Sequence, residues 1–168
     1  CLSQSDLING QTDTVTTFYD NKSQKEIYQT NDGVKNGPYQ IFHDSGELWQ
    51  VGNYSKGELI DEWSVYNHNG ILIQSSQYVK NVLHGQQKYY FDNGVIKQLL
   101  IFKEGVLDGA AQLYANQSLL SNSYLSEVIR FKDGKKNGRY IKYNEVGDSV
   151  IIGQFKSDLR SGVWKHYN

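Results

Sequence analysis

The sequence predicts an all-β chain of stacked hairpins joined into one elongated, twisted antiparallel sheet. Three observations carry that reading. Glycines, turn-forming residues and aromatic rings recur at a step of about 24 residues. Hydrophobic residues total only 38% while aromatics reach 13%, with 13 Tyr and 3 Trp, so apolar surface is carried by rings that suit strands better than helices. The 16 Gly accompany a single Pro, a punctuated composition without the Pro-Gly excess of a disordered chain. With 168 residues the chain has material for one domain or a small repeat array, and two large domains are excluded. The net charge of -1 excludes a whole-molecule field that would draw in nucleic acid or an acidic membrane.

The chain opens on Cys1, its only cysteine, so no intrachain disulfide is available to it. Bacterial lipoproteins are cut immediately before a Cys that is then acylated, and Cys1 resembles that mature N-terminus. Lipidation at Cys1 is therefore expected, with residues 1–16 as a polar tether and residues 17–168 as the repeat domain. An acyl anchor would hold the protein in the bacterial envelope, on the outer membrane, without a spanning segment.

The columns of the repeat justify each element in turn. Phe18, Phe42, Tyr66, Tyr90 and Tyr114 are 24 apart, and after a shift of 5 the column resumes at Tyr143 and Tyr167. Gly46, Gly70 and Gly94 mark one turn. Gly33, Gly57, Asn81, Gly105, Gly134 and Asp158 mark a second, all residue types that tolerate the positive φ of tight turns. A third column holds Gly37, Gly85, Gly109, Gly138 and Gly162, with Asp61 as its exception.

Each unit reads as a hairpin: a short strand such as Tyr39 to Phe42, a turn at His43 to Gly46, and a longer strand from Glu47 to Tyr54. Placing Phe42 opposite Glu47 puts Tyr39, Ile41, Leu48, Gly52 and Tyr54 on one face, expected to be the core side, and Phe42 and Trp49 on the other. A one-residue slip would exchange the faces. The shift of 5 places an insertion near residues 117–125, expected to lengthen a hairpin or form a loop.

The cycle Tyr66-Asn67-His68-Asn69-Gly70, Tyr78, Gly85, Tyr90-Phe91-Asp92-Asn93-Gly94, Phe102, Gly105 and Gly109 resembles MORN-variant repeats over roughly residues 18 to 168. Proteins of this kind are labelled YwqK-type antitoxins, and many are bacterial lipoproteins. The resemblance implies stacked hairpins and contacts with proteins or membranes, and the label implies an immunity protein that binds and neutralises one toxin. Lys22 and Ser118 stand where the pattern has turn glycines, and Gln87 and Ala111 where it has rings.

No catalytic constellation emerges. His43, His68, His84 and His166 fall in different columns without metal-ligand spacing, so no metal and no cofactor are expected. Asp20, Asp44 and Asp92 share a column with His68, but they sit at turns, where Asp and Asn bond to nearby backbone. No nucleophile elbow, phosphate loop or dinucleotide fingerprint occurs.

Two surface features point to partners. Arg130, Lys132, Lys135, Lys136, Arg139 and Lys142 gather around one turn, suited either to solvent or to anionic groups. The rings Tyr66, Tyr90, Tyr114 and Tyr143 form a stripe on the face opposite the expected core, either a packing ladder or a binding surface. The expectation is a non-catalytic protein-interaction module or scaffold tethered to the envelope membrane by its lipid, with Tyr66, Tyr90, Tyr114, Tyr143, Lys135 and Lys136 as partner-binding residues and no nucleic-acid partner. The alternative is the immunity protein.

Overall fold

The structure, a computed structural model, describes residues 11–117 and 122–167. Cys1 and residues 118–121 of the insertion lie outside the described residues. The chain forms β1 (Thr12–Phe18), β2 (Gln24–Asn31), β3 (Val34–Phe42), β4 (Leu48–Ser55), β5 (Glu58–Tyr66), β6 (Leu72–Val79), β7 (Val82–Tyr90), β8 (Ile96–Lys103), β9 (Val106–Leu107), β10 (Gly109–Gln117), β11 (Asn122–Lys132), β12 (Lys135–Tyr143), β13 (Ser149–Lys156) and β14 (Leu159–His166). All belong to one open antiparallel sheet in which strands follow in chain order, with the two-residue β9 paired to β8 off the main path. At about 4.8 Å per strand the sheet is roughly 60 Å long. No helix among the described residues is long and apolar enough to cross a membrane. β1 starts at Thr12, so residues 12–16, assigned to the tether by sequence, are paired strand.

Two turn types alternate. One edge carries two-residue turns with both residues at positive φ, such as Lys56-Gly57 at 50° and 80° and Lys80-Asn81 at 50° and 66°. This is the hairpin turn whose twist matches that of its strands. In the turns after Asp32-Gly33 the second residue also donates to a carbonyl of an earlier turn or strand: Gly57 N to Lys35 O at 2.8 Å, Asn81 N to Leu59 O at 2.9 Å, Asp158 N to Lys136 O at 2.9 Å. The other edge carries three-residue loops. In His68-Asn69-Gly70 the loop closes through Gly70 N to Asn67 O and Asn67 N to Ile71 O, both 2.9 Å, with Gly70 at φ 72°. Lys22 accepts φ 68° in the position where other loops have glycine.

The Gly37 column makes bulges inside the strands. Tyr28 pairs with Tyr39 and Thr30 with Lys35, so Gln29 alone faces Asn36, Gly37 and Pro38. Gly37 sits at φ 114°, and a Cβ there would lie 2.6 Å from the Gln29 side-chain oxygen. Asp61, the exception in sequence, adopts the same left-handed region at φ 59°.

The expected register needs correction. Phe42 pairs with Leu48, not Glu47, because the three-residue loop ends in a bulge, and the Glu47 carbonyl instead accepts the His43 N–H at 2.8 Å. The first strand is also no shorter than the second, since β3 runs from Val34 to Phe42. The faces nevertheless keep Tyr39, Gly52 and Tyr54 together, because Tyr39 pairs with Gly52 and Gly37 with Tyr54. In the insertion, Gln117 pairs with Asn122 and residues 122–125 belong to β11, so a hairpin is lengthened.

The core is thin, as a single layer requires. Of the apolar residues described, only Tyr39, Ala111 and Ile129 are buried. They lie in one row that crosses the sheet on the Tyr39 face, through Tyr28, Tyr39, Gly52, Trp63, Ser76, Gln87 and Leu100 to Ala111, Ile129, Tyr140 and Gly153. Neighbours in the row are complementary in volume. The Trp63 ring occupies the space over Gly52, and Trp164 that over Gly153, so closely that a Cβ on either glycine would overlap the indole. In the middle the buried Gln87 donates to Ser76 Oγ at 3.1 Å.

Candidate interaction surfaces

The row ends in two aromatic clusters. In the first, Tyr39 stacks on Tyr28 with centroids 5.4 Å apart, meets Tyr54 edge-on at 5.3 Å and lies 5.8 Å from Trp63. The Lys35 ammonium sits 4.2, 4.9 and 5.2 Å from the Tyr39, Tyr28 and Tyr54 rings, a cation enclosed by three π faces. Burial, then the hydrogen bond to Glu26 and its charge, hold the Tyr39 hydroxyl far above the ordinary tyrosine range. The second cluster repeats this 101 residues later. Tyr140 lies 5.9 Å from Phe155 and 5.3 Å from Trp164, Lys136 stands 5.2 Å over Phe155, and Arg160 stands 4.3 Å over Trp164. Burial and Glu127 raise the Tyr140 hydroxyl as Glu26 raises Tyr39. Sequence reasoning missed these clusters. Their signal was present in the pairs Glu26 and Glu127, Lys35 and Lys136, Tyr39 and Tyr140, Gly52 and Gly153, and Trp63 and Trp164, each 101 apart, which is four repeats plus the insertion.

The sequence-selected residues divide between the faces. Tyr66, Tyr90, Tyr114 and Tyr143 are half-buried near the loop-side ends of β5, β7, β10 and β12, on the face opposite Tyr39. They make no ring-on-ring contacts with each other. The ring pairs lie on the Tyr39 face and at His43, and Tyr66, Tyr90 and Tyr114 instead lie across the ladder from Leu72, Ile96 and Leu125. Tyr114 donates its hydroxyl to Gln112 at 3.0 Å. Lys135 is exposed, whereas Lys136 belongs to the second aromatic cluster and its backbone N–H bonds Asp158 at 2.8 Å. The basic cluster read from sequence is thus split.

Two histidines assigned to separate columns meet. His43 precedes one loop and His68 opens the next, and their rings stack with centroids 3.7 Å apart, with Trp49 stacked on His43 at 5.4 Å. Nearby Glu47 is held below the usual carboxylate range, first by a hydrogen bond from Ser45 and then by its backbone, with smaller contributions from the two imidazoles. No group of three metal-ligating side chains forms among the described residues.

A third arrangement lies on the opposite face at the β12–β14 end. Arg139 and Lys165 flank a shallow depression of about 490 Å³ whose lining includes Ile152, Gln154, Val163 and Tyr167. Val163 is 79% exposed and Tyr167 47%. No protein-family model matches the chain, and no curated protein is similar enough to count as a relative.

Proposed function

We propose that the protein is a non-catalytic interaction module that binds a protein partner through the faces of its sheet. The observation that carries this reading is the single layer itself. Tyr and Trp side chains that a two-layer fold would enclose are left half-exposed on both faces, and such rings supply large contact area at low entropic cost. The envelope tether expected at Cys1 is a separate proposal, tested by mass spectrometry of the native N-terminus for an acyl-modified cysteine.

Capture of the tagged full chain from its own cells after mild crosslinking, with quantitative mass spectrometry, tests the module. Co-purification of proteins in defined ratio supports it, and a single stoichiometric secreted toxin would select the immunity role over a scaffold. Recovery of the chain alone, at several crosslinker doses, counts against it.

A further inference from the structure

Charge along the sheet is not uniform. Residues 122–167 carry nine Lys and Arg against five Asp and Glu, whereas residues 11–66 carry four against nine. A near-neutral total therefore hides a basic end at β11–β14 and an acidic end at β1–β5. The depression beside Arg139 lies in the basic end.

We propose that this depression, with Arg139 and Lys165 on its rim and Ile152, Val163 and Tyr167 as its apolar surface, docks an acidic segment of a protein partner in which carboxylates adjoin aliphatic or aromatic side chains. The inference rests on the interaction-module reading and names the surface and the partner's chemistry. Three observations carry it. First, the paired cations are confined to this end: the positions equivalent to Arg139 and Lys165 are Pro38 and Ser64, Glu62 and Lys88, Gln86 and Gln112, and Ala110 and Ile141, so Lys88 is the one other cation in these pairs and it lies beside a carboxylate. Second, alternation puts Arg139, Ile152, Gln154 and Lys165 on one face, and Ile152 pairs directly with Lys165 and Arg139 with Gln154, so cations and apolar floor form one contiguous patch. Third, Val163 and Tyr167 leave apolar surface in water next to charges that neither ring cluster uses.

Charge complementarity selects the occupant. A carboxylate is desolvated favourably only beside a fixed cation, and a guanidinium offers a fork matched to it. A second copy presenting the same patch across a two-fold axis would set Arg139 and Lys165 against themselves. An anionic bilayer gains only about 1 kcal/mol per basic residue near its surface, so two rim cations alone make a weak membrane contact.

The test is selection of a random-sequence peptide library on the immobilised full chain, with the Arg139→Glu/Lys165→Glu variant as counter-target, followed by titration of enriched peptides. Peptides that combine Asp or Glu with aliphatic or aromatic residues are expected. Their binding should weaken roughly tenfold or more in the double variant, and weaken further as salt rises. Arg139→Gln/Lys165→Gln serves if the charge reversal disturbs folding, and Lys80→Glu, an exposed turn residue, should leave binding unchanged. Enrichment of neutral or basic peptides, equal retention on both targets, or no enrichment overturns the proposal. So does binding to phosphatidylglycerol vesicles, or self-association, that the double variant abolishes while no peptide is selected. The capture experiment separates the two levels: a cellular partner held equally by the double variant removes this surface and leaves the module reading, whereas no partner on either protein removes the module reading.

Discussion

Trp63 donates its indole N–H to the Gln50 side chain at 3.1 Å, while Trp164, in the equivalent position 101 residues later, has a buried indole nitrogen with no partner. The difference is one residue, since Ile151 stands where Gln50 stands in the first cluster. A buried donor left unpaired costs about 1–3 kcal/mol, and supplying its acceptor recovers part of that. Ile151→Gln is expected to raise stability by up to about 1 kcal/mol, the gain being reduced by lost aliphatic contact. Urea denaturation of the two proteins checks it, and an unchanged or lower midpoint would show that the side chain does not reach the indole.

Gly52→Ala separates a packing requirement from a backbone one. The Trp63 ring fills the space a Cβ would take, so the ring must leave its place over the strand, at a cost of about 1–3 kcal/mol. Gly46→Ala meets nothing within 4 Å and pays only for its φ of 102°. Gly52→Ala should also quench or shift tryptophan fluorescence, whereas Gly46→Ala should leave the emission spectrum as it is.

At Asp61 the expected direction reverses. A side chain held at φ 59° is strained relative to glycine, by about 1–2 kcal/mol for an ordinary residue and less for Asp. Asp61→Gly is expected to stabilise by about 0.5–1 kcal/mol after the larger chain entropy of glycine is allowed for. Thermal unfolding reads this as a rise of a few degrees.

The tyrosine clusters set an alkaline limit. Burial raises the hydroxyls of Tyr39, Tyr54, Tyr78 and Tyr140 above the ordinary value of 10.0. Above that pH the unfolded chain loses protons that the folded chain keeps, so stability is full below pH 10 and falls as pH rises further. Tyr39→Phe should make that fall shallower, although it removes the hydrogen bond to Glu26. Denaturation midpoints across pH 8 to 11 decide it, and an unaltered slope in the variant would mean that Tyr39 titrates as a free phenol.

Much of the architecture could be read from residue type because the constraint is local. Asn81 and Asp158 stand in for glycine only where the backbone accepts positive φ, so the turn column announced itself. The ring pairs 101 residues apart were equally visible, but nothing in a single column says that Lys35 reaches three rings or that His43 stacks on His68. Lys35 meets rings of β2, β3 and β4, and the two histidines belong to successive loops, so both contacts depend on how the strands lie side by side. The stripe from Tyr66 to Tyr143 shows the reverse: it was plain in the sequence, yet its rings do not stack on one another.

What the sequence by itself determined was the period, the strand class, the turn positions and the sharing of one face by Tyr39, Gly52 and Tyr54. Each of these follows from φ preferences and from the alternation of side chains along a strand, which act within a few residues. The tertiary structure alone decided that Phe42 meets Leu48, that Lys136 joins an aromatic cluster while Lys135 remains in solvent, and that Arg139 and Lys165 rim the same depression. The physical reason is the bulge. Each extra residue on one strand advances the register against its partner, so cross-strand neighbours depend on where every bulge falls, while the face of a side chain depends only on its own strand.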